Sequence, residues 1–264
     1  GYQRIRRIIR PALQSINNIA AQSESDAQRF MQLGVDQDKI EVIGSIKFDL
    51  AIPASLREQA EALRRQLGHS RHIWIAASTH EGEDEQILNA YTQVHASIPN
   101  LLLILVPRHP DRFERVAALC EKKQFNLIRR SSGQLCDEHT QVYLGDTMGE
   151  LLLLYAAADI AFVGGSLIEH GGHNLLEPAA LGVPAIVGPS MYNFAEITKR
   201  LLEANGVTQV NDASLLAANT EMLLRDSTLR HQMGENARLF VEHNRGSLDR
   251  LLKLIDAMMP DAQS

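Results

Sequence analysis

The residues best suited to chemistry fall in a few short clusters. They are Ser78-Thr79-His80, Pro107-Arg108-His109, Asp146-Thr147-Met148-Gly149-Glu150, Gly164-Gly165-Ser166, and Gly171-Gly172-His173-Asn174 running on through Leu175 and Leu176 to Glu177. Hydroxyls, imidazoles, a guanidinium and glycine-rich backbone together suit a phosphate group. Arg108 would give it a charge-assisted hydrogen bond worth about 1.5–3 kcal/mol. Glycine pairs ahead of a helix expose N–H donors at the positive end of the helix dipole. Glu177, one turn inside the helix expected to open at His173-Asn174, would reach a hydroxyl-bearing group beside that phosphate. No dense Asp/Glu cluster and no pair of histidines at metal-ligand spacing is read with these groups, so the inventory is one for holding a phosphate without a metal or other cofactor.

Each cluster also has a plain structural explanation. The glycine pairs can be turns that need a positive φ. Asp146-Thr147 reads as a helix N-cap, worth about 1 kcal/mol, and Glu150 as an acid favoured in a first helical turn. His80 and His109 can cap or pack, and Arg108 can be a surface arginine. Their shared position at strand ends is what favours the joint reading. Lys47, between Ile46 and Phe48, either points into a cleft and stabilises charge on a leaving phosphate or is a linker lysine with its head in water.

The elements that must position these residues alternate along the chain. Residues 72–76 and 160–163 read as strands, and 101–106 is a continuous apolar run, the mark of a strand buried on both faces. Helices are expected at 56–67, 83–97, 112–123, 148–157, 174–181, 194–204 and 215–224, with weaker strands at 125–128, 141–144, 185–187 and 207–210 and a long last helix from about 229 to 258, either continuous or broken at 244–246. Strands spaced by helices imply a Rossmann-like α/β fold, a parallel sheet with helices on both faces and right-handed crossovers. Ligands bind such sheets beyond the carboxyl ends of the strands. Two short strands flank a helix at 24–33 that Gly34 stops, and Pro53 marks a linker. The expected division is 1–52, the tail of one α/β domain with a hinge, and 53–264, a ligand-binding domain that includes the C-terminal helix.

The bulk figures bound the class. The chain has 264 residues, 45% hydrophobic and 22% charged, the values of a globular protein able to bury a sizeable core. A net charge of −6 gives no reason to expect nucleic acid. Cys120 and Cys136 are far from any CxxC spacing and read as free thiols. No apolar run approaches a membrane span. Residues 1–14 alternate Arg4, Arg6, Arg7 and Arg10 with Ile5, Ile8 and Ile9; as a helix they would suit an anionic surface or simply a solvated face. There is no signal-peptide pattern, and the start at Gly1 leads to the expectation of a fragment. Nicotinamide-dinucleotide, P-loop and nucleophile-elbow motifs are not found.

In order, Gly44-Ser45-Ile46-Lys47-Phe48-Asp49, Ser78-Thr79-His80-Glu81-Gly82-Glu83, Pro107-Arg108-His109-Pro110, Gly145 to Glu150, Gly164-Gly165-Ser166 and Gly171 to Pro178 resemble the bacterial 3-deoxy-D-manno-octulosonic acid (Kdo) transferases, over nearly the whole chain. The resemblance implies the C-terminal donor-binding part of a two-domain GT-B glycosyltransferase. It implies inverting, metal-independent transfer of Kdo from CMP-Kdo to the lipid A precursor, in lipopolysaccharide synthesis on the cytoplasmic side of the inner membrane. Pro107, Arg108, Met148, Gly149, Glu150, Asn174, Leu175, Leu176 and Glu177 match CMP-binding positions, and Lys47 matches a residue credited with transition-state stabilisation. The acceptor site, the membrane anchor and a glutamate general base belong to an upstream part that the chain is expected to lack, so the chain alone is expected to bind nucleotide weakly and to turn over nothing. Rival readings are a sugar-nucleotide 2-epimerase, which would prefer a UDP-sugar, and a non-catalytic binding module.

Overall fold

The structure is a computed structural model and describes residues 6–259. The expectations for Arg4 and Ile5 lie outside the described residues, as do those for the side chains of residues 6–9. Among the described residues no helix is long and apolar enough to cross a membrane.

Two compact units are present, one running up to Ala51 and including the stretch from Glu242 onward, the other spanning Ile52–Val241. The first holds α1 (Arg6–Gln14), β1 (Ile19–Ala21), α2 (Glu24–Leu33) and β2 (Ile40–Val42), with β1 and β2 parallel. Ser23 caps α2 by accepting from the Asp26 N–H, and Gly34, at φ 99°, ends it. A 3₁₀ turn follows at Ile46–Phe48.

The second unit is a run of βα units: α3 (Leu56–Leu67), β3 (His72–Thr79), α4 (Glu83–Ser97), β4 (Leu101–Pro107), α5 (Phe113–Lys122), β5 (Leu127–Arg129), β6 (Val142–Leu144), α6 (Leu151–Ala156), β7 (Ile160–Val163), α7 (Leu176–Ala180), β8 (Ala185–Val187), α8 (Ala195–Glu203), β9 (Val207–Gln209), α9 (Ala213–Arg225) and α10 (Ser227–His243). The seven-stranded sheet has the order β5-β6-β4-β3-β7-β8-β9, all parallel. Both faces are covered. Trp74 and Ala76 of β3 pack in one core with Ile87, Leu88 and Tyr91 of α4 and Leu216 of α9. Their neighbours Ile73, Ile75 and Ala77 point to the opposite face by strand alternation and are equally buried.

The strand order sets the site. From β3 the sheet grows one way through β4 and the other way through β7, so its topological switch point lies between β3 and β7. The loops leaving these two strands are pressed together. Gly164 donates to the Ala77 carbonyl, and a Cβ on Gly164 would stand 2.5 Å from the Ser78 carbonyl oxygen, so only glycine fits. β3 itself ends in a bulge: Ser78 has φ 57° and the register with β4 skips from Ala77 to Thr79.

Several expectations change. The strand expected at 72–76 continues to Thr79. The helix expected from residue 148 starts at Leu151, because Gly149 turns the chain at φ 81°. The helix expected over 174–181 shrinks to Leu176–Ala180, little more than one turn, so its dipole contributes correspondingly little. The long last helix is two, α10 and α11 (Ser247–Met258), parted at Asn244–Gly246. Residues from Glu242 onward go with the first unit, not with the donor-side domain in which 53–264 was expected to be continuous. The cause is a set of polar ties: the Asp49 carboxylate accepts from the Gly246 and Leu248 N–H groups at the start of α11, and Arg250 donates to the Ile43 carbonyl.

Candidate functional site

At the switch point a cavity of about 320 Å³ opens beyond the carboxyl ends of the strands. Ser78 lines it from the end of β3, Pro107 and Arg108 come from the end of β4, Thr147-Met148-Gly149 from the loop after β6, and His173, Asn174 and Glu177 from the loop after β7 and the start of α7. A larger cavity of about 830 Å³ lies against α3 and the Ala156–Asp159 turn before β7. It is at the amino end of the sheet, away from the strand-end loops, so its size does not make it the functional site.

Six of the expected site residues thus meet around one space: Pro107, Arg108, Met148, Gly149, Asn174 and Glu177. Arg108 is exposed, is tied by its backbone N–H to the Thr79 carbonyl, and makes no ion pair among the described residues. The Asn174 amide donates to Glu177 Oε1 at 3.1 Å, while its oxygen accepts from the Leu176 N–H. Burial pushes the Glu177 carboxyl up, against the pull of Asn174 and Arg108. The backbone N–H groups of Met148, Gly149, Asn174 and Leu175 find no acceptor among the described residues.

The remaining expected residues are placed differently. Leu175 and Leu176 are buried with their side chains away from the cavity lining. Glu150 does not line it either: Arg130 grips its carboxylate with two hydrogen bonds, of 2.7 and 3.0 Å, and Thr147 adds a third, which holds the Glu150 carboxyl below its ordinary value. Lys47 is exposed on the 3₁₀ turn of the first unit.

The glycine pairs do not offer the free N–H donors that the sequence suggests. The Glu83 carboxylate, fully buried at the start of α4, accepts from Gly165 and His80 through Oε2 and from Ser166 and Leu167 through Oε1. Gly171 donates to Ser190 Oγ and Gly172 to the Gly165 carbonyl. A protein carboxylate therefore occupies the nest where a phosphate was expected, and the glycines serve the turns, with positive φ at Gly165, Gly171 and Gly172. Burial pushes the Glu83 carboxyl up, and its four backbone donors oppose that shift.

The sequence reading also missed a histidine cluster. His80, His170 and His173 bring ring nitrogens within 4.8 Å of one another, and His109 stacks edge-on to His80. This corrects the expectation of no histidine grouping at metal-ligand spacing. His170 and His173 stand three apart in the chain, a spacing that could have been noticed; His80 joins them only because β3 and β7 are neighbours. His80 is held down to about 4 by burial and by the facing His170, His173, His109 and Arg112. His173 is held down to about 4 by burial, Arg108, His170 and His109. An unfolded histidine titrates near 6.5, so between these values the unfolded chain binds more protons. Stability contributed here is complete above pH ~6.5 and is lost as pH falls towards ~4. Urea midpoints across that window should fall with pH, and His80→Asn should flatten the fall; an identical profile for the variant would contradict the assignment.

Comparison with known proteins fits this geometry. Residues 72–240 match the family model of glycosyl transferases group 1, and residues 1–50 that of 3-deoxy-D-manno-octulosonic-acid transferase (kdotransferase). The chain is 46% identical over 255 residues to a 3-deoxy-D-manno-octulosonic acid transferase of Haemophilus influenzae, covering 96% of the chain and 60% of that protein. It spans less than two-thirds of the length of such curated relatives. It is 40% identical, with a TM-score of 0.67, to the crystal structure of the C-terminal CMP-Kdo binding domain of WaaA from Acinetobacter baumannii, which covers 70% of this chain and 97% of that one. A TM-score of 0.58 at 15% identity, over 97% of this chain and 67% of the other, relates it to Anabaena HepE in complex with UDP-glucose, a likeness of fold alone. Together the seven-stranded parallel sheet, the strand-end cavity and these matches establish that the chain belongs to the glycosyl transferases group 1, with the GT-B architecture, within the Kdo transferase family.

Proposed function

We propose that the second unit binds the CMP part of CMP-Kdo in the switch-point cavity, and that the complete protein passes Kdo to the lipid A precursor in lipopolysaccharide synthesis at the cytoplasmic side of the inner membrane. The observation that carries this reading is the pairing of Arg108, without an ion-pair partner among the described residues, with unclaimed N–H groups at Met148, Gly149 and Asn174 around one cavity. Those donors suit a phosphate oxygen. The likeness to a CMP-Kdo binding domain supports cytidylate as the nucleotide.

In the transfer step an acceptor hydroxyl attacks the anomeric carbon, the new glycosidic bond forms with inversion, and the bond to the phosphate oxygen breaks. The hydroxyl proton goes to a general base and the electron pair to the departing CMP. Arg108 and the strand-end N–H groups meet the charge that grows on the phosphate, in place of a divalent metal. Glu177, oriented by Asn174, holds ribose hydroxyls.

A calorimetric comparison of nucleotides tests the reading. CMP is expected to bind at least tenfold more tightly than UDP. Equal affinities, or a preference for UDP, would move the chain towards an epimerase-like donor, and no heat from either would favour a non-catalytic module.

A further inference from the structure

The histidines at the β3–β7 junction carry a chemistry that phosphate binding does not use. Nε2 of His80 and Nε2 of His173 face each other at 2.6 Å, with the two rings within 6° of parallel. The His170 ring lies over His80 at 3.8 Å between centroids. His80 is buried, His173 half-buried and His170 exposed, so the cluster runs from the floor of the loop pair to solvent. Three imidazole nitrogens without a carboxylate among them are a donor set for zinc-class ions; magnesium and calcium take oxygen. Zn–N bonds of about 2.0–2.1 Å place ligand nitrogens roughly 3.3 Å apart in a tetrahedron. The His80–His173 pair stands closer than this and all three rings offer a nitrogen within 4.8 Å of the others, so ligation needs a small parting of that pair.

The surroundings hold the rings for this use. His80 follows the Ser78 bulge, and its backbone N–H is fixed on Glu83. A Cβ on Gly165 would come within 3.1–3.2 Å of the His173 ring, so glycine there leaves the ring its place. Burial and neighbouring cations keep His80 and His173 neutral near pH 7, the form that ligates. Arg108 and Arg112 are among those cations, so they weaken the site as well as keeping it deprotonated.

We propose that His80, His170 and His173 bind one divalent ion of the zinc class, with a fourth position left for water. This goes beyond donor binding and does not rest on it: of the three histidines only His173 borders the nucleotide cavity. The test is Zn²⁺ titration of the chelator-stripped, dialysed protein, with Co²⁺ as a spectroscopic substitute. One Zn²⁺ per chain is expected, and a Co²⁺ spectrum of low-coordinate nitrogen–oxygen ligation without thiolate charge transfer. His170→Ala, at an exposed ring that the fold does not need, should weaken Zn²⁺ at least tenfold with an unchanged thermal midpoint. His139→Ala, at a ring elsewhere on the surface, should leave it unchanged. No Zn²⁺ uptake, a thiolate spectrum, or uptake undiminished by His170→Ala would overturn the proposal. CMP binding, measured separately in the stripped protein, reports on the donor reading alone.

Discussion

Arg108→Ala is expected to weaken CMP binding by roughly ten- to a hundredfold, the equivalent of a lost charge-assisted hydrogen bond of about 1.5–3 kcal/mol. Arg108 is exposed at the end of β4 and its guanidinium makes no ion pair among the described residues, so its removal breaks no ion pair, and Glu177 keeps its hydrogen bond from Asn174. The thermal midpoint should therefore stay where it is while affinity falls. Arg108→Lys should recover only part of the loss, because a point charge replaces a planar fork. Calorimetry with CMP on the three proteins checks this. Unchanged affinity in Arg108→Ala would remove the guanidinium from the phosphate site. The His173 imidazole should also gain proton affinity in the variant, since Arg108 is the largest charge holding it down after burial.

Glu83→Gln is expected to cost about 3–5 kcal/mol of stability, from backbone donors left without acceptors. Each carboxylate oxygen accepts from two N–H groups: Oε2 from Gly165 and His80, Oε1 from Ser166 and Leu167. An amide has only one oxygen. Whichever way it is turned, two buried N–H groups face an NH₂ that cannot accept. For a unit of this size each kcal/mol moves the midpoint by about 2–4 °C, so a fall of about 10 °C is expected in thermal unfolding. A midpoint within about 2 °C of the parent would contradict the view that Glu83 holds the glycine loop. Since this loop fixes the β3–β7 junction, a residual folded fraction of the variant should also bind CMP less well.

How much of this was legible depended on how local the cause was. The bounds expected for Leu56–Leu67, Glu83–Ser97 and Ile160–Val163 coincide with those observed, because a glycine stop, an acidic first turn or a continuous apolar run decides them within a few residues. The parallel sheet with helices on both faces followed from the alternation of such segments. The clusters at strand ends were legible as a set because the carboxyl ends of parallel strands share one edge. What was not legible came from chain segments far apart. Glu83 meets Gly165 across 82 positions, and no local pattern shows that its carboxylate fills the nest. The expected phosphate cradle at Gly164-Gly165-Ser166 was read from residue types alone, and those types equally serve a turn. Ser78 in a left-handed conformation is set by the bulge between β3 and β4, not by serine itself. Leu175 and Leu176 were placed with their motif, but the face of a one-turn helix that meets the core is fixed only by packing.

The central claim is that the strand-end rim around Arg108 holds the cytidylate. It is tested most directly by a crystal of the protein soaked with CMP. The expected result is nucleotide in the cavity between Pro107–Arg108 and Met148–Gly149, with a phosphate oxygen within hydrogen-bonding reach of the Arg108 guanidinium and no cation bridging them. Nucleotide in the cavity beside α3, a phosphate seated on the Gly164–Ser166 backbone in place of Glu83, or a phosphate held through a metal ion would contradict it.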